Sequence, residues 1–328
     1  MHFKRLHLMF LIIVIGLTAG AACGQAKESD KVRLALDWFP NANHAGLYVA
    51  LDKGYFKEEG IDLEVYTPDD PATILVTVGA GKDDFGFEYQ IGVLLARAKD
   101  VPVVAIAGVV QHPLNSVMAL KASGISRPKD LIGKKVGYPG IPTDPPTLDT
   151  MLKSDGARGM EDVELVNVGY DLVPALISKR VDAIVGAYWT HESISAENQG
   201  YPVNIMRMEK WGVPDFYELV IVTSETKIQK NPELVQRFLK ALKRGYEDAA
   251  RNPQGSIDVV KRLAPEIDEG IDRPGVELLA PLWQDSPRGF GWQEESRWGD
   301  FVKWMRANGI LAKELDVTQA FTNQFLPK

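Results

Sequence analysis

Cysteine and histidine are scarce: the chain has one cysteine and five histidines in 328 residues. A single thiol cannot close an internal disulfide or build a cysteine-based zinc cluster. Only His44, His112 and His191 lie beyond the amino-terminal segment, at long spacings and with no His-x-x-x-His pair, so no metal site is expected. A basic excess is also missing. Against 37 Lys and Arg stand 44 Asp and Glu, a net charge of −7, and a nucleic-acid footprint needs a basic stripe. No Gly-x-Ser-x-Gly elbow occurs, and Gly79-Ala80-Gly81-Lys82-Asp83 lacks the Ser or Thr that completes a phosphate loop, which leaves a surface turn. Neither internal repeats nor low-complexity tracts are found. Long apolar runs are absent too, apart from the ten or so residues from Leu8 to Leu17; a membrane-spanning helix needs roughly 20.

That short run follows Lys4 and Arg5 and precedes small residues ending at Cys23. A basic start, an apolar middle and a small-residue exit describe an export signal over 1–22. The only cysteine stands at the cleavage point, an arrangement that resembles the lipidation site of bacterial lipoproteins. Two outcomes stay open, lipidation at Cys23 or release of a soluble chain. Loss of Lys4 and Arg5 takes the net charge from −7 to −9. Residues 23–30 read as a polar tether.

The rest is ordinary globular sequence, 45% hydrophobic, 25% charged and 9% aromatic, long enough for one large or two mid-sized cores. Short β-branched runs predict strands at Val32–Leu36, Leu63–Tyr66, Phe85–Phe87, Val103–Val110, Ser116–Leu120, Lys135–Tyr138, Val163–Val168, Ala183–Gly186, Val203–Met206 and Leu219–Thr223. Between them, helical spacing predicts helices such as Ala45–Glu58 and Ile91–Ala98. This alternation implies parallel sheets covered by helices. After Thr223 the strand signal stops. Asn231-Pro232-Glu233 opens a helix with a cap and a proline at its first position, and the tail to Lys328 reads as further helix with Trp283, Trp292, Trp298 and Trp304 packed. Two sheets and a late helical return suggest two lobes, 31–116 with 220–328 and 117–219, around a cleft.

Ligands of open α/β sheets sit beyond the carboxyl ends of the strands. The first such loop, Leu36-Asp37-Trp38-Phe39-Pro40-Asn41-Ala42-Asn43-His44, carries two aromatics, two amides and an imidazole. Others are Phe87-Glu88-Tyr89-Gln90, Gln111-His112-Pro113-Leu114-Asn115-Ser116, Gly137-Tyr138-Pro139-Gly140-Ile141-Pro142 and Gly186-Ala187-Tyr188-Trp189-Thr190-His191-Glu192. Flat aromatic faces with amides and carboxylates suit a planar hydrogen-bonding heterocycle, although any one of these aromatics serves equally well as a core residue.

Several of these segments together resemble a known family. Asp37-Trp38-Phe39-Pro40-Asn41-x-Asn43-His44 is followed by Lys53-Gly54-Tyr55-Phe56-Lys57-Glu58-Glu59-Gly60-Ile61. With them go Gly81-Lys82-x-Asp84-Phe85-Gly86, Gly133-Lys134-Lys135-Val136-Gly137-Tyr138, Arg180-Val181-Asp182-Ala183 and Ala320-Phe321-Thr322-Asn323-Gln324-Phe325-Leu326. Over nearly the whole mature chain they are similar to the thiamin-pyrimidine and riboflavin-type solute-binding proteins of ABC importers. The resemblance implies an α/β, two-lobe periplasmic-binding-protein fold of type II, with crossover strands near Val117–Lys121 and Leu219–Thr223 and a ligand cleft between the lobes. It implies a monomer without enzymatic activity or cofactor. Such a receptor is exported, lipid-anchored on the extracytoplasmic face of the cell membrane, and serves a permease and an ATPase. Trp38, Tyr188 and Trp189 become candidate stacking walls. Asn41, His44, Glu88, Tyr89, Gln111, Asn115, Ser116, Tyr138 and Glu192 become candidate ligand contacts.

The same superfamily includes a eukaryotic synthase that makes the thiamin pyrimidine from pyridoxal phosphate and a histidine of its own. Aligned on Asp84-Phe85-Gly86, this chain has Glu88 in place of the Schiff-base lysine and Gly92 in place of that histidine, and the synthase's cysteine-rich motif is missing. Among transport ligands, formylaminopyrimidine (or hydroxymethylpyrimidine) and riboflavin both remain open. An alkanesulfonate or taurine-like ligand stands behind them, because a sulfonate calls for a more basic cleft.

Overall fold

The computed structural model describes residues 29–141, 143–169 and 171–328, without the side chain of Pro71. The expected signal segment, Cys23 and most of the tether lie outside the described residues.

All ten strands expected from the β-branched runs are present: β1 (Asp30–Ala35), β2 (Ile61–Tyr66), β3 (Phe85–Glu88), β4 (Val103–Val110), β5 (Asn115–Leu120), β6 (Lys135–Tyr138), β7 (Glu164–Asn167), β8 (Ala183–Tyr188), β9 (Val203–Arg207) and β10 (Leu219–Ser224). They form two five-stranded sheets, ordered β2-β1-β3-β10-β4 and β7-β6-β8-β5-β9. The sheets are mixed rather than parallel. β10 runs antiparallel to β3 and β4, and β5 antiparallel to β8 and β9. The cause lies in the connections: a parallel neighbour needs a long crossover, usually helical, whereas β5 and β10 each arrive directly from the other sheet.

The chain passes between sheets at 111–114 and returns at 208–218. The segments expected as crossover strands are therefore members of sheets, and the links lie just before them. Asn115 and Ser116 belong to the second sheet and Leu219 to the first. Register fixes where this leaves the cleft. Asn115 pairs with Tyr188 at the carboxyl end of β8, and Leu219 pairs with Val110 at the carboxyl end of β4. Both links thus run past the strand ends that should carry ligand.

The helix expected over Ala45–Glu58 is two, Ala45–Asp52 and Tyr55–Glu58, because Gly54 turns left-handed at φ +72° between them. In the helical return, Asn231 caps Pro232–Arg251 by accepting from the Leu234 N–H, and Leu234, Phe238, Leu242 and Tyr246 form its buried stripe. This helix crosses Ala45–Asp52 at two glycines. A Cβ on Gly245 would lie 2.1 Å from the Gly46 carbonyl oxygen, and one on Gly46 2.2 Å from the Tyr246 ring. Trp283, Trp298 and Trp304 are buried, but Trp292 is only half-buried, its indole donating to Glu294 at 2.7 Å. No α-helix follows Ala307. Instead the tail runs along the edge of β4, with Ala105 N–H donating to Ala320 O at 2.9 Å and Thr322 N–H to Ala105 O at 2.8 Å, which covers an otherwise open sheet edge.

Candidate functional site

β1 ends just before Asp37, a buried carboxylate that accepts from two side chains. His44 Nε2 lies 2.9 Å from one oxygen and the Tyr89 hydroxyl 2.9 Å from the other. The Asn41 N–H donates to His44 Nδ1 at 3.3 Å, so Nδ1 is the acceptor and Nε2 carries the proton given to Asp37. The Asn41 side chain is engaged in its own turn, accepting from Asn43 N–H and donating to Phe39 O.

β3 ends on Glu88, 7% exposed. It accepts the Tyr89 N–H at 2.8 Å, and a Cβ at position 92 would come within 2.7 Å of its Oε1. Gly92 is therefore the space that the Glu88 carboxyl fills. Burial, with the Asp37 charge added, pushes Glu88 up to about 8.

The return link ends on Glu218, 2% exposed. Its carboxyl binds three parts of the molecule: the Leu114 N–H of the first link at 2.7 Å, the Asn115 N–H at the start of β5 at 3.3 Å, and the Tyr188 hydroxyl at the end of β8 at 2.8 Å. Burial and the Asp37 charge still push it up to about 7. From the second lobe Asp144 approaches, 5% exposed and with no hydrogen-bond partner for Oδ2. Burial and the Glu218 charge push it up to about 7. Gly186 makes room for it: φ is +86°, and a Cβ there would lie 3.0 Å from Asp144 Oδ2. The Tyr89 and Tyr188 phenols are raised well above their usual range, chiefly by burial.

The remaining expected residues divide. Asn115 keeps a buried Oδ1 without a partner. Trp38 is exposed (37%), with Phe39 edge-on at 6.2 Å between centroids, and Tyr138 is half-buried at the end of β6. Others are occupied by the scaffold. Gln111 donates to Gly108 O at 2.9 Å and Ser116 to Ala187 O at 2.8 Å. The Trp189 indole donates to Pro113 O at 3.0 Å beneath the Arg207 guanidinium, and Glu192 accepts from Tyr188 N–H and lies 2.9 Å from His191 Nδ1. Sequence reasoning left Asp37, Asp144 and Glu218 out of the contact set. Asp37 stood inside the quoted first loop. Glu218 carried one usable signal, an acid set directly before the apolar run Leu219-Val220-Ile221-Val222.

Among the described residues no group of three or more His, Cys, Asp or Glu could hold a metal ion, and no lysine or arginine forms an ion pair with Glu88, Asp144 or Glu218. The arrangement is a buried, acceptor-rich cluster with tyrosine hydroxyls already committed to carboxylates.

Comparison with known proteins finds relatives of the chain as a whole. The chain is 32% identical to the formylaminopyrimidine-binding protein of Halalkalibacterium halodurans, covering 98% of each chain. It is 29% identical to the riboflavin-binding protein RibY of Chloroflexus aurantiacus, over 94% of this chain and 90% of that one. It is also 31% identical to the 4-amino-5-hydroxymethyl-2-methylpyrimidine phosphate synthase THI5 of Saccharomyces cerevisiae, over 91% and 88%. Among solved structures, the aliphatic sulphonate binding protein SsuA of Escherichia coli shares the fold at a TM-score of 0.69 and 15% identity, covering 88% of this chain and 91% of that one. The two-lobe periplasmic-binding-protein fold is thereby established, and residues 41–256 match the model of one family. The chain belongs to the NMT1/THI5-like family.

Proposed function

We propose that this protein is the extracytoplasmic receptor of an ABC importer and that its ligand is an aminopyrimidine of the formylaminopyrimidine type. The observation that carries the reading is the unbalanced cleft. Asp37, Glu88, Glu218 and Asp144 offer acceptors, Asp144 Oδ2 and Asn115 Oδ1 are buried without partners, and no lysine or arginine answers the last three acids. A ligand completing such a site must bring N–H donors, as an aminopyrimidine does through its amine and a protonated ring nitrogen. An isoalloxazine presents two carbonyl acceptors around one N–H, and a sulfonate is an anion; an acceptor-rich cluster without a lysine or arginine suits both less well than an aminopyrimidine. Trp38 supplies the stacking face.

The ligand is bound and released without chemistry. In the synthase alternative, positions 88 and 92 carry a lysine and a histidine; here the Glu88 carboxyl occupies the volume a side chain at 92 would need. Closure of the lobes buries the ligand, and the ligand drives closure only by binding the closed form better. Delivery is to a membrane permease and its ATPase, with the chain held at the membrane through Cys23 as a monomer.

Calorimetry on the chain from residue 24 onward tests this. Saturable binding of formylaminopyrimidine is expected, with none of riboflavin or taurine, and Trp38→Ala should weaken it by about 1–3 kcal/mol, as for a base losing an aromatic platform. Tight riboflavin binding would reassign the ligand. An imine with pyridoxal phosphate would return the enzyme reading.

A further inference from the structure

The acids that rim the cleft come from both lobes and from the link between them. Asp37, held by His44 and Tyr89, and Glu88 belong to the first lobe. Glu218 ends the return link, held by Tyr188 of the second lobe and by the first link's backbone. Asp144 starts the second-lobe helix Asp144–Ser154 and faces Glu218's charge with one oxygen unpartnered. With the lobes apart, water solvates these groups. With the lobes together, like charges meet in a space that water has left, and either a proton or a cationic ligand must intervene.

We infer that the cleft closes on its ligand together with a proton taken from solvent, held between Asp144, Glu218 and a ring nitrogen of the ligand, so that the species captured is an amidinium-like cation and phosphorylated derivatives are refused. This rests on the aminopyrimidine reading and adds its charge state. No covalent bond changes; the proton enters on closure and leaves on opening. The tyrosine hydroxyls do not supply it, since each already donates to a carboxylate. Asp144 is the specificity-determining residue, because it is the one acid of the set with a buried oxygen lacking any partner. Burial raises both carboxyls to about 7 in this structure, and exposure to water on opening would return them toward ordinary carboxylate values. Proton uptake therefore falls between those limits, and affinity declines as pH rises through them.

The test is calorimetry with formylaminopyrimidine in two buffers of different ionisation heat at pH 6, repeated across pH, alongside small-angle scattering of the ligand-free chain. Expected is uptake of close to one proton per ligand, with affinity falling by up to about tenfold per pH unit. A phosphorylated aminopyrimidine should not bind. Asp144→Asn should abolish the uptake, and the isosteric Glu218→Gln should reproduce that loss if the first variant folds poorly. Binding without proton exchange would overturn the inference and leave the receptor reading standing. If formylaminopyrimidine fails to bind at any pH, the aminopyrimidine reading falls, and scattering decides whether closure of the cleft takes up a proton. A ligand-free chain that contracts as pH falls, and no longer does so in Asp144→Asn, supports it; a radius unmoved by pH overturns it.

Discussion

Acids in the cleft and acids on the helical return live under opposite rules. Glu88, Asp144 and Glu218 are buried without a lysine or arginine and are pushed up to about 8, 7 and 7 by that burial. Asp248, on the helix Pro232–Arg251, is also pushed up by burial, yet hydrogen bonds from Lys53 and Tyr55 and the nearby Arg251 outweigh this and hold it below the usual carboxylate range. At the far side of the second lobe Asp155 is held low by Arg127. Among the described residues, lysine and arginine pair instead with acids elsewhere, as Lys53 and Arg251 do with Asp248 and Arg127 with Asp155. Burying a charge without a partner is expensive, and strongly perturbed acids concentrate at functional sites. Under the proposed function, the difference is one of stability given up for recognition at the cleft.

The largest break in this contrast should come from Gly186→Val. The position has φ +86°, and the new Cβ would lie 2.9 Å from Pro139 Cδ and 3.0 Å from Asp144 Oδ2. Strain of about 1–3 kcal/mol and a displaced Asp144 should remove ligand binding in calorimetry. Full affinity would show that Asp144 is remote from the ligand. Next comes Glu88→Gln, read by thermal midpoint across pH. Because the folded protein raises the Glu88 carboxyl from 4.5 to about 8, its favourable contribution is complete below the unfolded value and is lost as pH climbs through that window. The native chain should lose on the order of 2–5 kcal/mol there from this group, and the variant should have a flatter profile. Asp155 carries the opposite sign. Its folded value is lowered, so its contribution is present at neutral pH and fades on acidification. Identical profiles for the native chain and Glu88→Gln would mean that water reaches Glu88.

How far this was readable in advance depends on whether the cause is local. Strands were legible because Val103–Val110 and Leu219–Val222 are apolar β-branched runs, buried on both faces as they read. The cap at Asn231 was legible for the same reason, a side chain bonding a backbone three residues on. The break at Gly54 was missed because apolar spacing continues through it while the backbone does not. The direction of β5 and β10 could not be read, since it depends on which sheet a strand joins. In the site, Glu88 and Tyr188 were identifiable from strand-end loops. Asn41, Gln111 and Ser116 stood in the same loops, yet their side chains are committed to nearby backbone groups. Asp144 and Glu218 derive their character from burial and from charges distant in sequence, Glu218 acting on Asp144 and Asp37 on Glu218, and no local pattern reports an absent counter-charge.

The smallest expected effect belongs to the paired side of the comparison. Lys53→Met removes a cation from Asp248 but leaves the Tyr55 hydroxyl at 2.5 Å and Arg251 in place, and Arg244 still lies over the Tyr55 ring at 3.7 Å. Lys53 is half exposed, so solvent already screens most of its attraction. Denaturant unfolding should register a loss of about 0.2–1 kcal/mol, shrinking in high salt, with formylaminopyrimidine affinity and its pH dependence unchanged. The lysine sits where the helices Ala45–Asp52 and Pro232–Arg251 cross, a junction set by Gly46 and Gly245 rather than by charge. A loss several times larger would mean the ion pair positions that crossing. A shifted pH profile for binding would mean that surface charge reaches the cleft, and that the two sets of acids are parts of one electrostatic system.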